Sequence, residues 1–149
     1  MKFTIRQGNL DSVMEVLHAI PEFNQLPTQE IIEQRISGVP HLVLTAHAES
    51  ATLGFKIGYL RDGVFYSWLG AVHPQYRLHG VAKALAAEQE KWSGQQGYDR
   101  IWMKTRNRFP EMLIMAIRSG FNITGIETRE TLSENRIYLE KNLDEKKRG

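Results

Sequence analysis

The chain has 149 residues, 42% of them hydrophobic and 24% charged, so it can bury a sizeable core and is too apolar for intrinsic disorder. It contains no cysteine, which excludes disulfides, thiolate metal ligands and cysteine nucleophiles. Its 19 basic and 17 acidic side chains leave a formal net charge of +2, which is too small to indicate a nucleic-acid partner by itself.

The N-terminal half predicts two helices placed among strands. In chain order we expect a strand at residues 3–5, a helix capped by Asn9 or Asp11, and a short helix after Thr28. Strands at residues 41–48, 53–60 and 64–72 follow, with an Asp62-Gly63 hairpin turn between the last two. The strand at residues 64–72 is apolar on both faces, which indicates a central position.

The C-terminal half alternates helices and strands. We expect a helix at residues 78–93, a strand at 100–105, a helix from Pro110 to Gly120, and strands at 121–126 and 136–143. The whole order predicts an α/β (α+β) fold with a mixed central sheet of about six to seven strands, flanked by about four helices.

No repeat or linker divides the sequence. We therefore predict one domain over residues 1–143 and a polar, disordered tail over residues 144–149. No signal peptide is visible, and no stretch approaches the ~18 apolar residues of a membrane-spanning helix. We expect a cytoplasmic protein without a membrane partner.

The segment at residues 69–83 (LGAVHPQYRLHGVAK) carries the strongest functional signal. Gly70 interrupts a strand, which favours either a bulge or packing against a bulky neighbour. Residues 75–80 offer no Ser, Thr, Asp or Asn to cap the next helix, so its first N–H groups lack a side-chain partner.

The charge of this segment also distinguishes it from an ordinary helix start. No Asp or Glu occurs at residues 63–87, whereas Arg77 and Lys83 flank the helix start. A helix N-terminus favours anions, so free N–H groups beside cations predict a phosphate site, with a solvated basic face as the alternative. Gly80 and the small residues after it would let a phosphate approach the backbone.

Residues 77–82 (RLHGVA) resemble R/Q-x-x-G-x-G/A, the acyl-CoA pyrophosphate loop of the GNAT superfamily of N-acyltransferases. Residues 69–74 (LGAVHP) look like the strand that precedes this loop in the family. Asn107 and the pair Gly120-Phe121 also stand at positions where the family typically has these residue types. The resemblance extends over nearly the whole chain.

The resemblance implies that acetyl-CoA (CoA) is the co-substrate. Its pantetheine arm would lie in a gap between the strands at residues 64–72 and 100–105, and its pyrophosphate on the N–H groups of residues 78–83. The residues expected to bind it are Ala71, Val72, Arg77, Leu78, His79, Gly80, Val81, Ala82, Lys83 and Asn107.

The chain departs from the family at Ala116, where many members have a tyrosine that protonates the departing CoA sulfur. An alkyl amine with a pKa of ~10.4 is only about one part in a thousand neutral at pH 7, so a general base is useful. A thiol with a pKa of ~8.5 leaves more easily without help. The expected catalytic residues are Tyr66, Ser67 and His73, with Glu111 or a water chain as further candidates and ordinary packing as the alternative for each.

Other functions have weaker support. The histidine pairs 41/47 and 73/79 do not have a recognised chelate spacing, so we predict no metal site. The basic cluster of Lys104, Arg106 and Arg108 could meet the CoA 3′-phosphate, an acidic acceptor or RNA, although a solvated loop is the favoured interpretation. P-loop, dinucleotide-binding and G-x-S-x-G motifs are absent, and we predict no nucleic-acid partner.

We therefore predict an N-acetyltransferase that moves an acetyl group from acetyl-CoA to a primary amine by direct attack in a ternary complex. The alternative is a non-catalytic acyl-CoA-binding or regulatory module of the same fold. A small amine, amino acid, antibiotic, peptide N-terminus or protein lysine all remain open as acceptor, received by the early helices (residues 10–37) and the late strands. A homodimer, common in the resembled family, is also left open.

Overall fold

The structure, a computed structural model, describes residues 1–21 and 26–143. Within these ranges the chain forms seven strands and four α-helices, with 3₁₀ turns at Pro74–Tyr76 and Leu132–Glu134. In chain order the elements are β1 (Thr4–Gln7), α1 (Leu10–His18), α2 (Gln29–Ile36), β2 (His41–Ala48), β3 (Ala51–Arg61), β4 (Val64–Val72), α3 (Val81–Gln95), β5 (Arg100–Arg106), α4 (Pro110–Arg118), β6 (Asn122–Glu127) and β7 (Arg136–Asn142).

The strands are hydrogen-bonded in the order β1-β2-β3-β4-β5-β7-β6. β4 and β5 run parallel, while β1/β2, β2/β3, β5/β7 and β6/β7 are antiparallel. The predicted mixed α/β sheet with about four helices is thus confirmed. The described residues divide into two compact units: the first contains residues 1–21, 26–60 and 68–92, and the second contains residues 61–67 and 93–143.

In the first unit, side-chain caps begin both early helices where the sequence predicts them. Asn9 Oδ1 accepts from Ser12 N at 3.0 Å, and Thr28 Oγ1 accepts from Ile31 N at 3.2 Å. Each cap satisfies one of the four N–H groups that a helix leaves unpaired at its start. α1 turns Val13, Val16 and Leu17 inward, and all three are fully buried.

In the second unit, β5 and β7 form the longest pairing, in register from Arg100 with Asn142 to Arg106 with Arg136. The parallel pairing of β4 with β5 joins Phe65 to Ile101 and Tyr66 to Trp102. Apolar side chains of these strands are buried, including Phe65, Ile101, Ile137 and Leu139. The predicted Asp62-Gly63 turn is present, with φ of 53° and 79°, as a tight hairpin turn requires.

The structure corrects the start of α3. The predicted helix begins at residue 78, whereas the observed one begins at Val81 and continues to Gln95. The reason is backbone conformation, because Leu78 (φ 67°) and Gly80 (φ 81°) lie outside the helical region. The predicted tail at residues 144–149 lies outside the described residues, and the single domain over residues 1–143 stays a prediction.

Candidate functional site

The loop after β4 begins with a histidine that caps a 3₁₀ turn. His73 Nδ1 accepts a hydrogen bond from Gln75 N at 3.1 Å, and the ring lies 5.3 Å from that of Tyr76. A neutral imidazole has one free lone pair, so this bond assigns the proton to Nε2. The contact favours a local structural role for His73 over that of a general base.

The loop itself leaves a run of backbone donors free. Ala84 N donates to Gly80 O at 3.0 Å, which makes Gly80 the N-cap residue of α3, without a side chain to cap it. Among the described residues, the N–H groups of residues 78–83 have no hydrogen-bond acceptor. The positive φ of Leu78 and Gly80 on either side of His79 is the alternating backbone that aims successive N–H groups at an anion.

The surroundings of these donors suit a negatively charged ligand. Leu78 is fully exposed, no atom lies within 4 Å of a Cβ built on Gly80, and the first turn of α3 has no acidic residue. Lys83 lies in that first turn and Arg77 directly precedes the loop. Free donors, a positive helix end and open space together fit the pyrophosphate that the resemblance implies.

A glycine on β3 holds α3 close to the sheet of the first unit. A Cβ on Gly54 would lie 2.9 Å from Ala71 O, 3.3 Å from Val81 Cγ1 and 3.4 Å from Leu85 Cδ1. His73 N also donates to Leu53 O at 2.7 Å, which ties the end of β4 to β3. The only sequence signal for this contact is a glycine within the strand at residues 53–60.

Strand β4 changes face between Trp68 and Gly70. The Trp68 ring lies 5.8 Å from that of Tyr59, whereas Gly70 faces Lys56. Residues 54–59 of β3 pair regularly with β2, so Tyr59 and Lys56 point to opposite faces. Trp68 and Gly70 would share a face in a regular strand, and their separation is the irregularity that a bulge produces.

Lys56 is a half-buried lysine beside this irregularity. Its Nζ lies 3.6 Å and its Cγ 3.5 Å from the position of a Cβ on Gly70. Burial lowers the pKa of Lys56 to about 8, although Glu90 on α3 acts in the opposite direction. Sequence reasoning missed this residue, because nothing in a strand pattern shows which lysine loses its hydration.

In the second unit, the ring of Tyr66 on β4 stacks on that of Trp102 on β5, and two cationic side chains lie over the Tyr66 ring. The Tyr66 and Trp102 centroids are 4.0 Å apart, and Tyr66 is only 2% exposed. Arg61 Cζ and Lys104 Nζ each lie 5.8 Å from the Tyr66 centroid. Ser67, the next residue of β4, is also buried.

Tyr138 extends this stack across β7. Its ring lies 6.4 Å from that of Trp102, and its hydroxyl donates to Glu127 Oε2 at 3.0 Å. We call Tyr66, Trp102 and Tyr138 the aromatic row. Trp102 and Tyr138 are half-buried, so both retain surface that a ligand can contact.

Two other predicted positions have local partners in the second unit. Asn107 Nδ2 donates to Leu132 O at 2.9 Å, and Ala116 is 3% exposed on α4. In the basic cluster, Arg106 and Arg108 both pair with Glu134, at 3.1 and 3.3 Å. These ion pairs favour the interpretation of the cluster as a paired surface loop.

Two further features are absent from the described residues. Across residues 1–21 and 26–143, no group of three His, Asp or Glu side chains is arranged to hold a metal ion. Over the same ranges, no helix is both long enough and apolar enough to cross a membrane.

A family model decides the relationship. The model of the acetyltransferase (GNAT) family matches residues 10–113, which is more than half of the chain. The chain belongs to this family. The match includes β4, the loop at residues 78–83 and the whole of α3. No curated protein sequence matches the chain.

Several solved structures share the fold of this chain. The ribosomal-protein-S18-alanine N-acetyltransferase of Escherichia coli has a TM-score of 0.79 at 17% identity, covering 95% of this chain and 94% of its own. Ard1 from Thermoplasma volcanium has a TM-score of 0.79 at 19% identity, covering 94% and 97%. The PaiA N-acetyltransferase of Thermoplasma acidophilum, in complex with coenzyme A, has a TM-score of 0.74 at 18% identity, covering 95% and 99%.

Family membership confirms the predicted chemistry at the level of reaction and co-substrate. The protein is an acyltransferase that transfers an acetyl group from acetyl-CoA to an amine. The predicted cofactor-binding and catalytic residues remain predictions.

Proposed function

We propose that the protein acetylates a primary amine by direct attack of that amine on the thioester of acetyl-CoA in a ternary complex. The observation that carries this proposal is the loop at residues 78–83, whose six N–H groups have no acceptor among the described residues. Such a group of free donors at a helix start is the backbone arrangement that binds phosphate groups.

In this proposal the co-substrate lies against the first unit at the C-terminal end of β4. Its pyrophosphate accepts from the N–H groups of residues 78–83, while Arg77 and Lys83 balance its charge. Its pantetheine arm runs back along Ala71 and Val72 and pairs with their backbone. Asn107 stays a proposed CoA-binding residue, and its side-chain amide also donates a hydrogen bond to Leu132 O.

The proposed catalytic side chains are the two hydroxyls of β4. Tyr66 and Ser67 are neighbours on β4 and point to opposite faces of the strand, so one of the two hydroxyls serves the reacting groups, and water removes the proton of the amine. His73 is the third predicted residue, and it is the weakest, because its Nδ1 already accepts from Gln75. Orientation of the amine, more than proton transfer, is then the main contribution of these groups.

We further propose that the aromatic row receives the acceptor. Half-buried Trp102 and Tyr138 offer flat apolar surface, and Arg61 and Lys104 place positive charge beside it. This environment suits an amine on a small molecule or peptide that also carries an apolar or acidic group. We place this reaction in the cytoplasm, which the cysteine-free composition supports.

Calorimetric titration with acetyl-CoA and, separately, with CoA tests the donor half of the proposal. Micromolar affinity for both is expected, and an absence of binding at millimolar ligand would overturn the loop assignment. Release of free thiol in the presence of small primary amines and peptides with free N-termini tests the acceptor half. Tight CoA binding with no thiol release from any amine would favour the non-catalytic module instead.

A further inference from the structure

The geometry points to Lys56 as the side chain that donates a proton to the departing CoA sulfur, a role for which the family commonly uses the tyrosine that Ala116 replaces here. This inference rests on the proposed function, because it requires the pantetheine arm to run along β4. It adds a catalytic residue on β3 that no sequence motif indicates.

Lys56 lies beside the part of β4 that is assigned to pantetheine. Lys56 and Gly54 share one face of β3, and Gly54 is the residue in contact with Ala71 and with Val81 at the start of α3. The Lys56 chain therefore lies on the face where α3 and its N-terminal loop begin. It crosses β4 at Gly70, one residue before the Ala71–Val72 segment assigned to pantetheine.

The proposed direction of the co-substrate brings its sulfur towards Lys56. With its pyrophosphate at residues 78–83 and its arm along Val72 and Ala71, the thiol end of CoA points up the strand towards Gly70. The Lys56 ammonium lies 3.6 Å from the place where a side chain on Gly70 would begin. Glycine at that position keeps the ammonium uncovered on the side from which the sulfur would approach.

The groups around the Lys56 ammonium suit a proton donor. Glu90 faces it from α3 and raises its pKa, β4 presents Gly70, and the register partner on β2 is the apolar Leu44. Burial is the larger influence and lowers the pKa to about 8, close to the ~8.5 of a free thiol. A donor matched to its acceptor in this way transfers a proton with little energetic penalty.

Proton transfer from Lys56 accompanies the departure of the CoA sulfur. The neutral amine forms the new C–N bond, the C–S bond breaks, and the sulfur takes a proton from Lys56 Nζ. The amine nitrogen loses its extra proton to water, and Lys56 is reprotonated from solvent. No oxidant, metal or further reactant is consumed.

The decisive measurement is the pKa of the CoA thiol in the binary complex, followed by thiolate absorbance. With the wild type, the ammonium is expected to lower the thiol pKa below its value in free CoA; Lys56→Met should raise it by about one unit, a tenfold change. Lys56→Arg should keep the lowered thiol pKa, because it keeps the charge. An identical thiol pKa in the wild type and Lys56→Met, with equal CoA affinity, would overturn the inference.

Turnover supplies the second readout. The kcat of the wild type should fall as pH rises above about 8, and Lys56→Met should be slower by about 100-fold at pH 7 without that fall. Lys91→Met, an exposed lysine on α3, is the matched control and should behave like the wild type. If Tyr66→Phe removes the alkaline fall while Lys56→Met retains it, the proton comes from Tyr66 and the inference is wrong.

A milder variant covers the case in which Lys56→Met does not fold. Glu90→Gln removes the group that raises the Lys56 pKa, so the alkaline fall should move to lower pH. An unmoved pH profile would count against Lys56. Failure of the wild type to bind CoA at all would instead refute the proposed function, so the two failures are distinguishable.

Discussion

The loop after β4 and the aromatic row, the two binding surfaces proposed above, expose different parts of the chain. The loop at residues 78–83 offers backbone N–H groups, set by the positive φ of Leu78 and Gly80. The aromatic row offers side chains, namely a 4.0 Å stack of Tyr66 on Trp102 with Tyr138 beside it. The first surface depends on conformation and the second on residue identity.

In the proposed function, this difference separates a part common to the family, the binding of acetyl-CoA, from a specific part, the choice of amine. A backbone donor is present whatever the side chain, so a phosphate loop needs only a few fixed residues such as Gly80. An acceptor site made of side chains changes with every substitution. Members of a family can therefore share acetyl-CoA while differing in the amine they accept.

The largest expected effect comes from placing a carboxylate in the loop. Gly80→Glu puts negative charge and bulk where the pyrophosphate would bind, so CoA affinity should fall by about 100-fold or more. The left-handed backbone at Gly80 (φ 81°) adds a stability cost of about 1–2 kcal/mol. Calorimetry gives the affinity and denaturant unfolding gives the stability.

Gly63→Glu is the matched control for this substitution. Gly63 has a φ of 79° and, like Gly80, nothing within 4 Å of a Cβ. Both variants should lose similar stability, and only Gly80→Glu should lose CoA. Equal CoA affinity in the two variants would mean that the loop is not the cofactor site.

A second substitution tests whether the loop depends on close packing beneath it. Gly54→Ala would bring a Cβ to 2.9 Å from Ala71 O, which must move. We expect a loss of about 1–3 kcal/mol in unfolding free energy, together with weaker CoA binding, because Val81 shifts with α3. Gly94→Ala on α3, with open space around its Cβ, should instead gain about 0.5–1 kcal/mol. If Gly54→Ala leaves both the unfolding free energy and the CoA affinity unchanged, the backbone at Ala71 can move aside without cost.

Much of the fold follows from local signals in the sequence. Asn9 and Thr28 predict the two early helix starts because a cap is a short-range hydrogen bond. Asp62-Gly63 predicts a turn because Asp and Gly tolerate the positive φ that a tight hairpin needs. The predicted start of α3 at residue 78 is wrong. Helix-forming residues around Leu78 favour a helix there, but the positive φ of Leu78 and Gly80 keeps this segment in a loop.

The site was only half predictable, for the same physical reason. The motif at residues 77–82 is contiguous, so it is legible in sequence, and its residues remain to be tested. The contact of Lys56 with Gly70 joins β3 to β4, and the stack of Trp102 on Tyr66 joins β5 to β4. Each contact depends on strand register, and the first depends also on the irregularity in β4. The Nδ1 hydrogen bond of His73 could not be predicted either, because it depends on a 3₁₀ turn that no sequence pattern indicates.

A third substitution tests the aromatic row against the loop. Trp102→Leu removes the stack on Tyr66 and the Arg61 contact at 5.9 Å, so stability should fall by about 1–3 kcal/mol. CoA affinity should stay within about twofold, while the KM for the best acceptor should rise several-fold. Steady-state kinetics with saturating acetyl-CoA measure this. An unchanged acceptor KM would remove the row from the acceptor site.

The smallest effect separates the ring of Tyr138 from its hydroxyl. Tyr138→Phe keeps the ring beside Trp102 and deletes the hydrogen bond to Glu127. That bond is exposed, so its loss should cost less than about 1 kcal/mol, with acceptor KM changed by less than about twofold. The same kinetic assay applies, with Trp102→Leu as the reference. If Tyr138→Phe raises KM as much as Trp102→Leu does, the hydroxyl recognises the acceptor directly, and the row acts through a hydrogen bond as well as through apolar surface.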